Sequence, residues 1–157
     1  MVEWKPAALL AADIEPRSGS SYLPEYAKAV AGRAKRALGN PFGLDQFGVN
    51  LVTMEPGSWS SHRHWHERED EFIYVLDGEI TLVDDDGEHK LTPGMCAGFK
   101  AGDANGHKLV NSTGGVVIYL EVGTRSSEEV AHYSDIDMKA VKSGGKLAFM
   151  KKDGSAL

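Results

Sequence analysis

The sequence predicts an all-β domain, and three observations carry that reading. From Phe47 onward, short runs rich in β-branched and aromatic residues follow one another. Turn-forming clusters separate these runs at roughly 8–12-residue spacing, the pattern of an antiparallel sandwich or small barrel. No strand–helix–strand alternation is present, so a parallel α/β sheet is not expected.

Before those strands, "LPEYAKAVAGRAKRAL" (23–38) has helix-forming residues but poor apolar periodicity, and Gly32 interrupts it. A short helix or an irregular arm is expected there. "FGVNLVTM" (47–54) reads as the first long strand, closed by "EPG". "EFIYVL" (71–76), Asp77-Gly78 and "EITLVD" (79–84) read as a hairpin, because Asp-Gly suits a tight turn with positive φ. "DDDG" (84–87) turns the chain again before "EHKL", and Thr92-Pro93-Gly94 fits a type II turn. Further strands are expected at "MCAGF" (95–99), "HKLVN" (107–111) and "VVIYLEV" (116–122). Gly57, Gly78, Gly94 and Gly102 are read as turn residues and not as a phosphate-binding loop.

A chain of 157 residues can bury one adequate core, and no repeat or long linker divides it. The expected organisation is an N-terminal arm over 1–44, a barrel core over 45–125 and a C-terminal extension of the same domain over 126–157. A net charge of -6 gives no electrostatic attraction to nucleic acid or an anionic membrane. Cys96 is the only cysteine, which excludes a disulfide framework or a cysteine-based zinc site. It is expected to be a small buried side chain. With no secretory signal and no stretch of about 18 apolar residues, a cytoplasmic protein is expected.

Chemistry concentrates in "SSHRHWHEREDEFIYVLDGE" (60–79), which holds three of the six histidines at alternate positions. Residues two apart on a helix point about 200° apart and cannot share an ion. On a strand they share a face roughly 6.5 Å apart, so His64 and His66 form a chelating pair if the segment is extended. His62 would share that face one step upstream. Further donors must come from other strands. Glu71 is the expected carboxylate because it opens the next strand, whereas Glu67, Glu69 and Asp70 read as a solvated connection. His107 begins a later strand and is the expected fourth donor. Three imidazoles and a carboxylate suit Zn, Fe, Mn, Ni, Co or Cu and suit Ca or Mg poorly.

These residues resemble the cupin superfamily, whose two motifs are G-x5-H-x-H-x3-4-E-x6-G and G-x5-P-x-G-x2-H-x3-N. Gly57, His64, His66, Glu71 and Gly78 follow the first, with one extra residue before His64. Gly94, Gly102, His107 and Asn111 follow the second, with Lys100 in the proline position and two extra residues before His107. The resemblance implies a small antiparallel jelly-roll β-barrel in a single copy, carrying one divalent transition metal on His64, His66, Glu71 and His107. It also implies a small-molecule ligand.

The stretch "RHWHEREDEFIYVLDGE" is similar to a cupin branch described as sugar-phosphate isomerase-like, so a metal-assisted isomerase acting on a sugar or sugar phosphate is the first expectation. An iron-dependent oxygenase and a non-catalytic metal-dependent binding protein are the alternatives. His62, Tyr74, Lys100 and Tyr119 are the conceivable cavity or proton-transfer groups, with His62 read as a rim residue. If the histidines face inward, Trp59, Ser61, Arg63 and Trp65 face outward, and aromatics outside a barrel need cover. A homodimer is therefore expected, with cover by the N-terminal arm as the alternative. His89 and His132 read as surface histidines.

Overall fold

The computed structural model describes residues 5–157, so residues 1–4 of the expected arm lie outside the described residues. Its strands are β1 (Arg17–Ser18), β2 (Arg33–Ala37), β3 (Phe47–Met54), β4 (His64–His66), β5 (Glu71–Asp77), β6 (Ile80–Asp84) and β7 (Gly87–Leu91), followed by β8 (Cys96–Phe99), β9 (Lys108–Val110), β10 (Val117–Thr124), β11 (Glu129–Tyr133), β12 (Lys139–Ser143) and β13 (Lys146–Met150). Among the described residues a single short α-helix, α1 (Pro24–Ala27), precedes β2. The fold is an all-β jelly roll, as expected.

One layer is a six-stranded antiparallel sheet in the order β1-β2-β3-β10-β5-β8. The other is built from a three-stranded sheet, β7-β6-β9, and a four-stranded sheet, β13-β12-β11-β4. Bridges at Trp59–Val110 and His64–His107 join those two smaller sheets. The main core lies between the layers. Val52, Met54, Ile73, Val75, Val117 and Tyr119 from the large sheet meet Ile80, Leu82, Leu91 and Leu109 from the three-stranded sheet. A second core of Ala131, Tyr133, Met138 and Ala140 packs with Tyr22, Tyr26, Ile136 and Phe149, tying the N-terminal arm to the four-stranded sheet.

The 23–38 stretch is split. α1 and a 3-10 turn over Lys28–Val30 are followed by an extended strand from Arg33. Gly32 marks the break because a Cβ there would come within 2.1 Å of Ser58 Oγ. The strand then pairs with β3, where tertiary hydrogen bonding overrides the helix-forming composition.

The expected hairpin across Asp77-Gly78 is corrected. β5 pairs with β10 and β8, whereas β6 pairs with β7 and β9, so the chain passes from one layer to the other. Gly78 has φ +79, but no non-glycine residue among the described residues has positive φ, so Asp77 cannot complete a type I′ turn. Added bulk at Gly78 would meet the Val116 carbonyl at 2.9 Å, which makes the crossing a close backbone approach. β6 instead forms its hairpin with β7, with Asp84 opposite Gly87. The Thr92–Met95 turn closes with a 3.0 Å bond from Met95 N–H to the Thr92 carbonyl. Cys96 is exposed and not buried, because β8 is an edge strand and Cys96 pairs with outward-facing Tyr74.

Candidate metal centre

Side chains of residues paired across neighbouring strands share a face, so the interior of the large sheet can be read row by row. Met54 pairs with Val117, then Val52 with Tyr119 and Val75, then Asn50 with Glu121 and Ile73. One row further, Gly48 pairs with Gly123, which pairs with Glu71. The rows thus change from aliphatic to polar toward one end of the barrel, and Glu71 stands at that end.

Across the interior, β4 presents His64 and His66. His64 and His107 exchange backbone hydrogen bonds of 3.1 and 2.9 Å, which sets their side chains next to one another. The imidazole of His107 stacks flat on Phe99 at 3.5 Å, fixing the ring plane. His64 Nδ1–H donates to the His62 carbonyl at 2.9 Å, which leaves Nε2 with its lone pair turned to the cluster.

All three imidazole Nε2 atoms converge on one oxygen. Glu71 Oε2 lies 2.8 Å from His107, 3.5 Å from His66 and 3.7 Å from His64. His64 Nε2 and His66 Nε2 are 3.1 Å apart. Donors bound to one first-row ion at about 2.1 Å are separated by roughly 3.0 Å at right angles and roughly 3.4 Å at tetrahedral angles. The spacing of His64, His66 and Glu71 therefore fits one shared cation, which would also relieve the repulsion between two facing nitrogen lone pairs. His64, His66 and Glu71 donors all lie within 4.8 Å of one another, and His107 joins them through Glu71.

Burial holds the His64 imidazole down to a pKa of about 4, outweighing the attraction of Glu71, so the ring is neutral at pH 7. For Glu71, burial acts to raise the carboxyl. The hydrogen bond from His107 and the surrounding imidazoles outweigh it and hold the group well below the usual carboxylate range. Neutral imidazole beside ionised carboxylate is the protonation state a metal requires.

His66, Glu69 and Glu129 form a second triad of close donors. Its carboxylates are already engaged: Glu129 accepts from the backbone N–H groups of Glu67, Arg68 and Val130, and Glu69 from Ser126 N–H and Lys142. Glu69 is thus a structural carboxylate and not part of a solvated connection. Its location corrects the expectation, because Lys142 lies on β12, far away in sequence.

Cavities of about 240 and 290 Å³ adjoin the cluster, and both are lined by Tyr22, Arg33, His64 and His66. Lys100 lines a smaller cavity of about 140 Å³ beside His66 and His107. The other expected cavity residues lie elsewhere. Tyr74 points outward with Phe72 and Leu76, because it alternates with buried Ile73 and Val75. Tyr119 is fully buried in the main core and lines none of these cavities.

His62 Nε2–H donates to the Tyr26 carbonyl at 2.9 Å, and its ring is enclosed by Tyr22, Tyr26 and Trp59. It leaves the common face because residues 60–63 are bends and regular alternation begins only at His64. For the same reason Ser61 faces inward, with Oγ 3.2 Å from His64 Nδ1. The tryptophans are covered within the chain, Trp65 by stacked His132 at 4.3 Å and Trp59 by Lys108 Nζ at 3.3 Å.

Three cavity residues escape the motif reading. Glu121 could have been found, since it continues the inward parity of Val117 and Tyr119. Tyr22 and Arg33 carry no local signal, because only the fold of the arm brings them to the site.

Residues 50–123 match the cupin domain family. A search of curated proteins finds no match. Among solved structures, the chain is similar to a sugar phosphate isomerase from a cupin superfamily of Silicibacter pomeroyi, with 49% identity over 96% of both chains and a TM-score of 0.93. A putative sugar phosphate isomerase from Acidithiobacillus ferrooxidans is 25% identical over 96% of this chain and 95% of its own, with a TM-score of 0.78. The polyketide cyclase RemF from Streptomyces resistomycificus shares the fold at 22% identity, over 76% of this chain and 79% of its own, with a TM-score of 0.61. With a jelly-roll barrel, both motifs in order and a near-full-length relative at this identity, the chain belongs to the cupin superfamily.

Proposed function

We propose that this cupin is a metal-dependent isomerase of a small sugar phosphate, with the ion held by His64, His66, Glu71 and His107. The observation that carries the reading is the convergence of three Nε2 atoms on Glu71 Oε2 beside two half-open cavities. The description of the Silicibacter pomeroyi relative as a sugar phosphate isomerase supports the reaction class. A divalent ion there would supply Lewis acidity toward a carbonyl or hydroxyl oxygen.

The chain itself must move the proton. Glu121 faces the cavity and is held by Lys35 Nζ at 2.6 Å and Asn50 Nδ2 at 3.0 Å. Its position on that cavity supports it as the carboxylate that takes a proton from a substrate carbon and returns it to the neighbouring one. Tyr22 lines the same cavity, and burial raises its hydroxyl pKa, so it remains a hydrogen-bond donor. The Phe99–His107 stack forms one wall of this cavity.

The outward apolar row Phe72, Tyr74 and Leu76, each exposed, supports a homodimer through the large sheet. No described helix is long and apolar enough to cross a membrane.

The test is solvent-deuterium incorporation next to the carbonyl of ketose phosphates, followed by NMR. Exchange is expected with metal-loaded protein and is lost in Glu121→Gln. Substrate-dependent oxygen uptake confined to iron, with no exchange under any metal, would replace the isomerase by an oxygenase.

A further inference from the structure

Three cations face the two cavities beside the cluster: Arg33 and Lys35 from β2 and Lys142 from β12. Two are neutralised, Lys35 by Glu121 and Lys142 by Glu69. Arg33 has no carboxylate within 4.0 Å among the described residues. Its one hydrogen bond among them runs from Nη1 to the Ser60 carbonyl, so the rest of a five-donor fork is free to face a ligand. Arg33 pairs in register with Met54, an inward-facing core residue, so the guanidinium enters the barrel and not the solvent.

Charge counting gives the ligand its sign. A divalent ion with three neutral imidazoles and Glu71 leaves one positive charge, and Arg33 adds a second. On the cavity of about 240 Å³, whose lining leaves out the buried carboxylate of Glu129 that borders the larger one, these two positive charges are uncompensated and favour an anion. A phosphate monoester, at about -1.5 to -2 near pH 7, matches that excess better than a single carboxylate. The planar guanidinium also matches two phosphate oxygens at once.

We propose that Arg33 is the anion anchor of this cavity and binds the phosphate group of the metabolite, whose other end faces the histidine–carboxylate cluster. The assignment rests on the reading of that cluster as a metal site with a phosphorylated ligand, and it fixes which residue selects the phosphate. Tyr22, shared by both cavities, is the neighbouring donor.

Calorimetric titration of inorganic phosphate and of acetate into wild type, Arg33→Met and Arg33→Lys tests it, with bound manganese measured separately in each. Arg33→Met is expected to weaken phosphate about 10- to 100-fold while manganese content stays at the wild-type level. Arg33→Lys should recover only part, because a lysine keeps the charge without the fork. Acetate should bind more weakly than phosphate to wild type.

In unmodified wild type, phosphate should protect Arg33 from phenylglyoxal, read by mass spectrometry, whereas chloride at equal ionic strength should not. Unchanged phosphate affinity in Arg33→Met, or no protection of Arg33, overturns the anchor. Absent manganese in all three proteins overturns the metal reading instead, and phosphate protection of Arg33 would still support the anchor.

Discussion

The two ends of the barrel interior are lined by the same three strands and do opposite things. Toward β7-β6-β9, β3, β5 and β10 present Met54, Val52, Val75, Val117 and Tyr119, and the space is filled. Toward β4 and β11 they present Asn50, Glu121 and Glu71, and cavities open beside them. Alternation runs from Glu71 to Val75 on β5 and from Tyr119 to Gly123 on β10, past the register irregularity between Ile118 and Tyr119. Only the residue type changes, between Tyr119 and Glu121 on β10 and between Ile73 and Glu71 on β5. Stability and chemistry are therefore separable in this protein, and mutations at the two ends should separate them.

The largest effect on folding is expected at the filled end. Met54→Ala removes a fully buried side chain and should cost about 2–5 kcal/mol in urea unfolding while leaving metal stoichiometry intact. Loss of metal in a still-folded Met54→Ala protein would break the separation. At the open end the pattern inverts. His64→Ala should abolish most metal affinity, measured by dialysis, while unfolding free energy falls by no more than about 2 kcal/mol.

Protonation sharpens the same contrast. The His64 pKa is depressed from its ordinary 6.5 to about 4, so between those values the unfolded chain binds a proton that the folded chain refuses. Chelator-treated protein should thus lose stability as pH falls from about 6.5 toward 4. The depressed Glu71 carboxyl works in the same direction below its unfolded value of about 4.5, since its stabilisation is lost on acidification. His64→Ala should flatten the slope above pH 5. An unchanged slope would place the titration elsewhere.

The smallest effect on metal concerns the choice of carboxylate. Glu69→Gln should leave metal affinity nearly unchanged, because Glu69 is tied to Lys142 and Ser126 N–H. Glu71→Gln should lower it sharply. The reverse result would reassign the ligand.

The local parts of this architecture were legible because they depend on short periodicities. His64 and His66 share a face since strands have period two, and Glu71 stands at the start of the following strand. The Thr92–Met95 turn and the long strand over 47–54 were equally readable. Pairing was not. Asp77-Gly78 is compatible with a hairpin, but partners far along the chain, Val117–Thr124 for β5 and Lys108–Val110 for β6, settle its path.

His62 and Ser61 depart from the expected faces for a related reason. Strand alternation does not reach residues 60–63, where the chain bends. Arg33, Tyr22 and Lys142 reach the cavities from both ends of the chain, and no spacing connects them to the histidines. Lys108 and His132 cover Trp59 and Trp65, and the outward apolar surface lies instead along Phe72, Tyr74 and Leu76.

The central claim is that His64, His66, His107 and Glu71 bind one ion together. X-ray absorption of the protein loaded with one equivalent of zinc tests it most directly. The predicted spectrum has outer-shell scattering from three imidazoles, which falls to two in His107→Ala. A spectrum without imidazole scattering, or one that His107→Ala leaves unchanged, would contradict the shared site.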